Sequence, residues 1–189
     1  MGVRCECWDH EPPGSVRHAA VPYWFKPYVI QDAQRRLNAD LVAWMDASCV
    51  PTGGPGALDP FFDAVRARGV WAQHSGHHCA RWTNDRCLRY MGVTRAEAET
   101  IPMVMAICVG FDLTNPAAQN LLTDWRRWAE QTTAFCGSWD DHRHHQSVLS
   151  ILMHRAGFAP APPRENGANY VVYGRGAGAG PGVVECYPA

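Results

Sequence analysis

Residues 41–50 read LVAWMDASCV, and the interpretation of the whole chain starts from this stretch. Its first five residues are apolar, and a short apolar run bounded by turn residues is typical of a buried strand. The run ends at Asp46, which Ala47 and Ser48 follow. Ligands of open α/β sheets bind beyond the carboxyl ends of strands, so Asp46 is a candidate ligand-binding carboxylate. The alternative is a solvated aspartate that begins a loop.

Helix and strand patterns alternate along the chain. Residues 26–38 predict a helix with Val29, Ile30, Ala33 and Leu37 on one face. Capping and periodicity signals predict five further helices. Asp59 is expected to cap the first, Gly92 to end the second over 83–90, and Thr94 to start the third; the last two run from Asn115 to about Glu130 and over 145–156. Strands are predicted over 3–8, 41–45, 70–73, 103–111 and 169–173, and residues 74–80 are predicted to form a polar loop. This alternation predicts an α/β protein.

The totals limit the class of protein. The 189 residues are 47% hydrophobic and 19% charged, which predicts one domain over 1–173 followed by a flexible, Gly-rich tail over 174–189. A net charge of -1 argues against nucleic-acid binding. There is no apolar run of membrane-spanning length and no signal peptide, so a cytoplasmic protein without a membrane span is expected, with its eight cysteines as free thiols.

A second polar stretch, WDDHRHHQS over residues 139–147, precedes an apolar helix. Imidazole and carboxylate groups bind divalent metals, and a helix start favours anions. A solvated helix N-terminus is the alternative. The histidines at 74, 77 and 78 with Cys79 form a weaker cluster that is expected to be incidental. We expect Asp46 and residues 142–146 to face one cleft, because both lie at element ends of an α/β layout.

Four segments resemble GT-A-fold glycosyltransferases, in particular uncharacterised bacterial and phage proteins of the nucleotide-diphospho-sugar transferase type. They are VPYWFKPYVIQDA, VAWMDASCVP, the central segment from GVWAQHSGHHCARWTNDRC to GFDLTNPAAQNLLTDW, and DDHRHHQSVLSILMHRAGF. The order of the segments is that of the family, and together they cover residues 20–158. The resemblance implies a GT-A-like mixed sheet flanked by helices. It also implies transfer of a sugar from a nucleotide-sugar donor to a glycan, lipid or protein acceptor of unknown identity.

The resemblance also implies roles for individual residues. Asp46 and Ser48, with His142, would hold Mn²⁺ or Mg²⁺, which would offset the charge of the leaving diphosphate. Donor binding would involve Lys26, Asp46, Ser48, Trp82 and Gln146. Catalysis would involve His144, His145 and Asp85.

The sequence departs from the family in three ways. The acidic motif is Asp-Ala-Ser and not Asp-x-Asp, His145 stands where the family has an aspartate, and only 45 residues precede Asp46. The resemblance therefore predicts a shortened domain that lacks the first strand. Two alternatives stay open: a degenerate, non-catalytic relative that binds a sugar or a protein, and a metal-dependent hydrolase centred on residues 140–145.

Overall fold

The computed structural model describes residues 21, 23–51, 54–162 and 170–172. The strands of this part are β1 Leu41–Met45, β2 Cys49–Pro51, β3 Val70–His78, β4 Pro102–Asp112 and β5 Tyr170–Val172. Its α-helices are α1 Lys26–Leu37, α2 Asp59–Arg68, α3 Cys79–Trp82, α4 Asp85–Met91, α5 Arg95–Ala98, α6 Pro116–Glu130 and α7 His144–Arg155, and a 3₁₀ helix covers Thr132–Phe135.

A three-stranded sheet in the order β1-β4-β3 forms the centre of the fold, and both of its pairings are antiparallel. β4 occupies the middle because it is the longest strand and most of its residues are buried. β2 and β5 form a separate antiparallel pair. Parallel pairing in the described part is limited to one bridge between Gln73 and Ala161. The structure confirms a mixed α/β composition with an antiparallel sheet, and the GT-A arrangement of the sheet stays a prediction.

Helices cover both faces of this sheet, because successive residues of β4 point to opposite sides. On one face, Phe61 and Val65 of α2 pack with Trp71 and Cys108 in a small core. On the other face, α1, α6 and α7 contribute to the main core, which includes Val109 and Phe111. Cys108 is a buried core residue.

Several local predictions are confirmed because their signals act over three or four residues. Thr94 and Glu97 form the predicted capping box at the start of α5. The Asn115 side chain accepts hydrogen bonds from the first amides of α6, and Leu121 and Trp125 of that helix are buried. Gly92 ends α4 in a left-handed conformation.

Three predictions about α1, β1 and α2 are corrected. In β1 only Val42 is buried, because the strand lies at the sheet edge. Leu37 is 56% exposed, since α1 buries mainly its first turn. Asp59 is the first residue of α2 and does not cap it; Leu58 takes the N-cap position.

The prediction of a loop over 74–80 is wrong. β3 continues to His78, and α3 begins at Cys79. Pairing with β4 holds this polar segment extended, with His74 opposite Val104 and His78 opposite Pro102. The predicted last strand is confirmed over Tyr170–Val172. The strand predicted over 3–8 and the tail over 174–189 lie outside the described residues.

No helix in the described part is long and apolar enough to cross a membrane. The cysteines that the structure describes, at positions 49, 79, 87, 108 and 136, are free thiols. Burial raises the pKa of Cys87 to about 12, so this thiol is protonated in the neutral range.

Candidate functional site

An irregularity in β4 creates the candidate site. Ala72 of β3 pairs with Val109, whereas His74, only two residues further, pairs with Val104. Ala106 lies within this break in the register, and its backbone groups bond to side chains. Its carbonyl accepts a hydrogen bond from Lys26 Nζ at 2.9 Å, and its amide donates to Gln146 Oε1 at a long 3.5 Å. β-Bulges often lie beside functional sites because they redirect neighbouring groups.

Lys26 is the only lysine in the sequence, and its residue is 1% exposed. It is the first residue of α1, so its ammonium lies near the positive end of a 12-residue helix. Its Nζ is 2.5 Å from Asp46 Oδ1 and lies 5.2 Å from the ring centroids of both Tyr23 and Trp44. Burial lowers the pKa of Lys26, and the Asp46 carboxylate opposes that shift.

Asp46 follows β1 directly, as the sequence predicts. Its backbone amide donates to the carbonyl of Ile107, which ties it to β4 beside Ala106. Its Oδ1 accepts hydrogen bonds from Lys26 Nζ and from the indole of Trp44. The side chain is 23% exposed, so the Lys26–Asp46 pair reaches solvent mainly through the carboxylate.

Residues of α7 and the turn before α1 complete one side of the site. The Tyr23 ring lies 4.8 Å from the His145 ring, and Gln146 contacts Ala106. The site therefore joins Lys26, Asp46, His145 and Gln146, which are separated by up to 120 positions in the sequence. This brings Asp46 close to the 142–146 stretch, and the shared cleft stays a prediction.

Backbone strain is concentrated beside the site. Tyr23 has φ of 61° and His144 has φ of 45°, values that residues other than glycine rarely adopt. The rings of the two residues are 6.3 Å apart. Strained residues persist only where surrounding contacts hold them, and they cluster at functional sites. No sequence pattern indicates this strain, which is why sequence analysis assigned no role to Tyr23.

The three imidazoles of the polar stretch point into the protein. His142 Nε2 is 2.9 Å from the carbonyl of Ala134, and His144 Nδ1 is 2.8 Å from the carbonyl of Phe135. Burial lowers the pKa of His142 to about 4. Burial also lowers the pKa of His145, and the nearby Lys26 charge lowers it further. Both rings are therefore neutral at pH 7.

The remaining predicted residues, Trp82 and Asp85, contact arginine side chains. Trp82 joins the site through stacked side chains: Arg143 lies 3.8 Å above its ring and 5.0 Å from Trp139, whose ring contacts Tyr23. Asp85 is exposed and forms an ion pair with Arg95. It lines a separate cavity of about 430 Å³ with Arg95 and Leu88. The structure thus brings Trp82 toward the site and gives Asp85 a different partner.

The predicted metal ligands do not form a cation site among the described residues. In that part of the chain, no three His, Cys, Asp or Glu side chains are grouped in a way that could hold a metal ion. Asp46 is paired with an ammonium, and His142 is bonded to Ala134. Ser48 is half-buried in the turn before β2. These residues do not fit Mn²⁺ or Mg²⁺, which bind through several oxygen ligands.

Comparisons with known proteins bear on whether this geometry belongs to a characterised group. No protein-family model, no curated protein and no solved structure matches the chain. The resemblance to GT-A glycosyltransferases therefore stays a prediction.

The buried histidines predict a loss of stability in acid. The folded protein lowers the pKa of His142 to about 4, whereas the unfolded chain protonates this ring near pH 6.5. The contribution of the neutral ring to stability is therefore fully present above pH 6.5 and is lost as the pH falls toward 4. His142 alone should contribute about 3 kcal/mol across that window. Denaturant unfolding between pH 7.5 and 4.5 measures how steeply the free energy of unfolding falls with pH. His142→Gln should flatten this slope, whereas His154→Gln, at an exposed position of α7, should not. Equal slopes for wild type and His142→Gln would contradict the prediction.

Proposed function

We propose that this protein is a glycosyltransferase that takes a sugar from a nucleotide-sugar donor to an acceptor. The observation that carries the proposal is the convergence of Lys26 and Gln146 on the backbone of Ala106, with Asp46 paired to Lys26. These residues come from three of the segments that resemble GT-A glycosyltransferases. Their proximity supports one donor site built from all three segments.

The charges of this site suit a leaving diphosphate. Sugar transfer develops negative charge on the departing diphosphate, and a fixed positive group lowers the barrier. The Lys26 ammonium supplies such a charge, and Asp46 and the Ala106 carbonyl fix its position. The half-buried Tyr23 and Trp44 rings flank it and limit the access of water. His145 is neutral and 5% exposed, so it would act by packing against Tyr23 and not by proton transfer.

A second function is favoured by a different observation. The imidazoles of His142, His144 and His145 are buried, and two of them bond to backbone carbonyls. Groups held in this way do not reach a substrate without rearrangement. This favours the degenerate relative that binds a sugar or a protein partner without catalysing transfer.

Binding of nucleotide sugars tests the proposal directly. We expect a uridine- or guanosine-diphosphate sugar to bind the wild-type protein in calorimetric titration and to release nucleoside diphosphate on prolonged incubation. Gln146→Ala should weaken binding by about tenfold, the cost of one hydrogen bond at the site. Gln34→Ala, at a half-buried position of α1, serves as the matched control and should leave affinity unchanged.

Two results would count against catalysis. Binding without any release of nucleoside diphosphate, with or without a panel of saccharide acceptors, would favour the non-catalytic relative. Failure of every nucleotide sugar to bind would contradict the donor site itself.

A further inference from the structure

One oxygen of the carboxylate that a divalent cation would need at Asp46 is already engaged. Oδ1 of Asp46 accepts hydrogen bonds from Lys26 Nζ at 2.5 Å and from the Trp44 indole. A metal ion bound to this carboxylate would lie within a few ångströms of the ammonium, and like charges at that distance repel strongly. The ammonium also neutralises the carboxylate, which reduces its attraction for any further cation.

The Lys26 ammonium has one N–H group left to donate to an anion. An ammonium carries three N–H groups, and the described residues provide hydrogen-bond acceptors for two of them, Asp46 Oδ1 and the Ala106 carbonyl. Lys26 also begins α1, whose N-terminus adds positive potential to that of the ammonium. No side chain caps α1 among the described residues. The ammonium and the helix N-terminus therefore both add positive potential beside the Asp46 carboxylate.

We infer that Lys26 is the resident cation of this site and that it binds the diphosphate of a nucleotide in the absence of any divalent metal. The inference rests on the proposed function, since it concerns the same donor site. Lys26 is 1% exposed, so binding requires the flanking Tyr23 and Trp44 rings to move aside. One phosphate oxygen then accepts the third N–H of Lys26, while Asp46 and the Ala106 carbonyl keep the other two. Asp46 is then a positioning residue for the lysine and not a metal ligand.

A single NMR signal reports on this site because Lys26 is the only lysine in the sequence. Protein labelled with ¹⁵N at the lysine Nζ should give one side-chain ammonium resonance. We expect uridine or guanosine diphosphate in EDTA to shift this resonance. Stoichiometric Mn²⁺, added alone after removal of the EDTA, should leave it sharp. Mn²⁺ bound to Asp46 would broaden the signal beyond detection, since its Oδ1 is only 2.5 Å from Nζ, and would overturn the inference.

Calorimetry of the same nucleotides gives a second measurement. Their affinities in EDTA and in Mn²⁺ should agree within roughly twofold, whereas a gain of about tenfold or more with Mn²⁺ would overturn the inference. Lys26→Gln should weaken metal-free binding by about tenfold or more, and Lys26→Arg, which keeps the charge, should restore most of it. Arg126 is a cation that stacks on Tyr28 of α1, so Arg126→Gln is the matched control and should leave both affinities unchanged.

The outcomes separate this inference from the proposed function. Nucleotide binding that requires Mn²⁺ and broadens the Lys26 signal would overturn the inference and leave the glycosyltransferase proposal standing. Failure of every nucleotide and nucleotide sugar to bind would overturn both. The wild-type NMR experiment needs no substitution, so its result holds even where Lys26→Gln fails to fold.

Discussion

Replacing Asp46 by asparagine should lower the free energy of unfolding by about 3 kcal/mol, because it leaves the buried Lys26 ammonium without its counter-ion. Lys26 is 1% exposed and cannot recover hydration in place. The reverse change should cost less. In Lys26→Met the Asp46 carboxylate, which is 23% exposed, keeps part of its hydration, and we expect a loss of about 1 kcal/mol. Urea unfolding of both variants measures this asymmetry.

The double variant separates charge from packing. Lys26→Met with Asp46→Asn removes both charges and should be more stable than Asp46→Asn alone, since no unpaired ammonium is left. Asp63→Asn is the matched control, because its ion pair with Arg66 is exposed and should contribute little. Equal losses for Asp46→Asn and Lys26→Met would show that the pair does not stabilise the fold in the way that its burial indicates.

Sequence reasoning succeeded where a signal is local. The capping box at Thr94, the Asn115 cap before Pro116 and the apolar run of β1 each depend on residues a few positions apart. Such patterns carry their own physical cause, a side chain that bonds to a nearby amide or an apolar run that fits a strand. Boundaries set in this way agree with the structure to within one or two residues.

It failed where long-range pairing decides the conformation. The polar segment from His74 to His78 has no strand pattern, yet pairing with β4 holds it extended. The order β1-β4-β3 is likewise set by contacts between segments distant in the chain. The exposure of β1 follows from that order, because an edge strand has a neighbour on one side only.

The candidate site shows the same division. The resemblance assigned both Lys26 and Asp46 to the donor site, and the structure brings them together. What sequence reasoning missed is that Lys26 neutralises Asp46 and that Tyr23 and Trp44 flank the pair. The sequence signal for this arrangement is an aromatic cluster around the only lysine of the chain. The signal becomes informative once the break in the β4 register places Ala106 between α1 and α7.

Gly110 of β4 is where α2 comes closest to the central sheet, and Gly110→Ala should cost about 3 kcal/mol. A Cβ there would lie 2.3 Å from Val65 Cγ2 and 2.8 Å from Phe61 Cζ. Both side chains are fully buried, so neither can move away without disturbing the small core on that face. Thermal and denaturant unfolding measure the loss. Gly54→Ala is the matched control, because a Cβ at that position meets nothing within 4 Å.

A second substitution shows whether the predicted clash is the cause. Val65→Ala removes the methyl group nearest to the new Cβ, so Gly110→Ala should cost less in the Val65→Ala protein than in wild type. Val65→Ala alone should destabilise by about 2 kcal/mol, because it opens space in a closed core. Additive losses in the double variant would mean that α2 does not approach the sheet at Gly110 as closely as these contacts indicate. Coupled losses would confirm that the absence of a side chain at Gly110 lets α2 pack against β4.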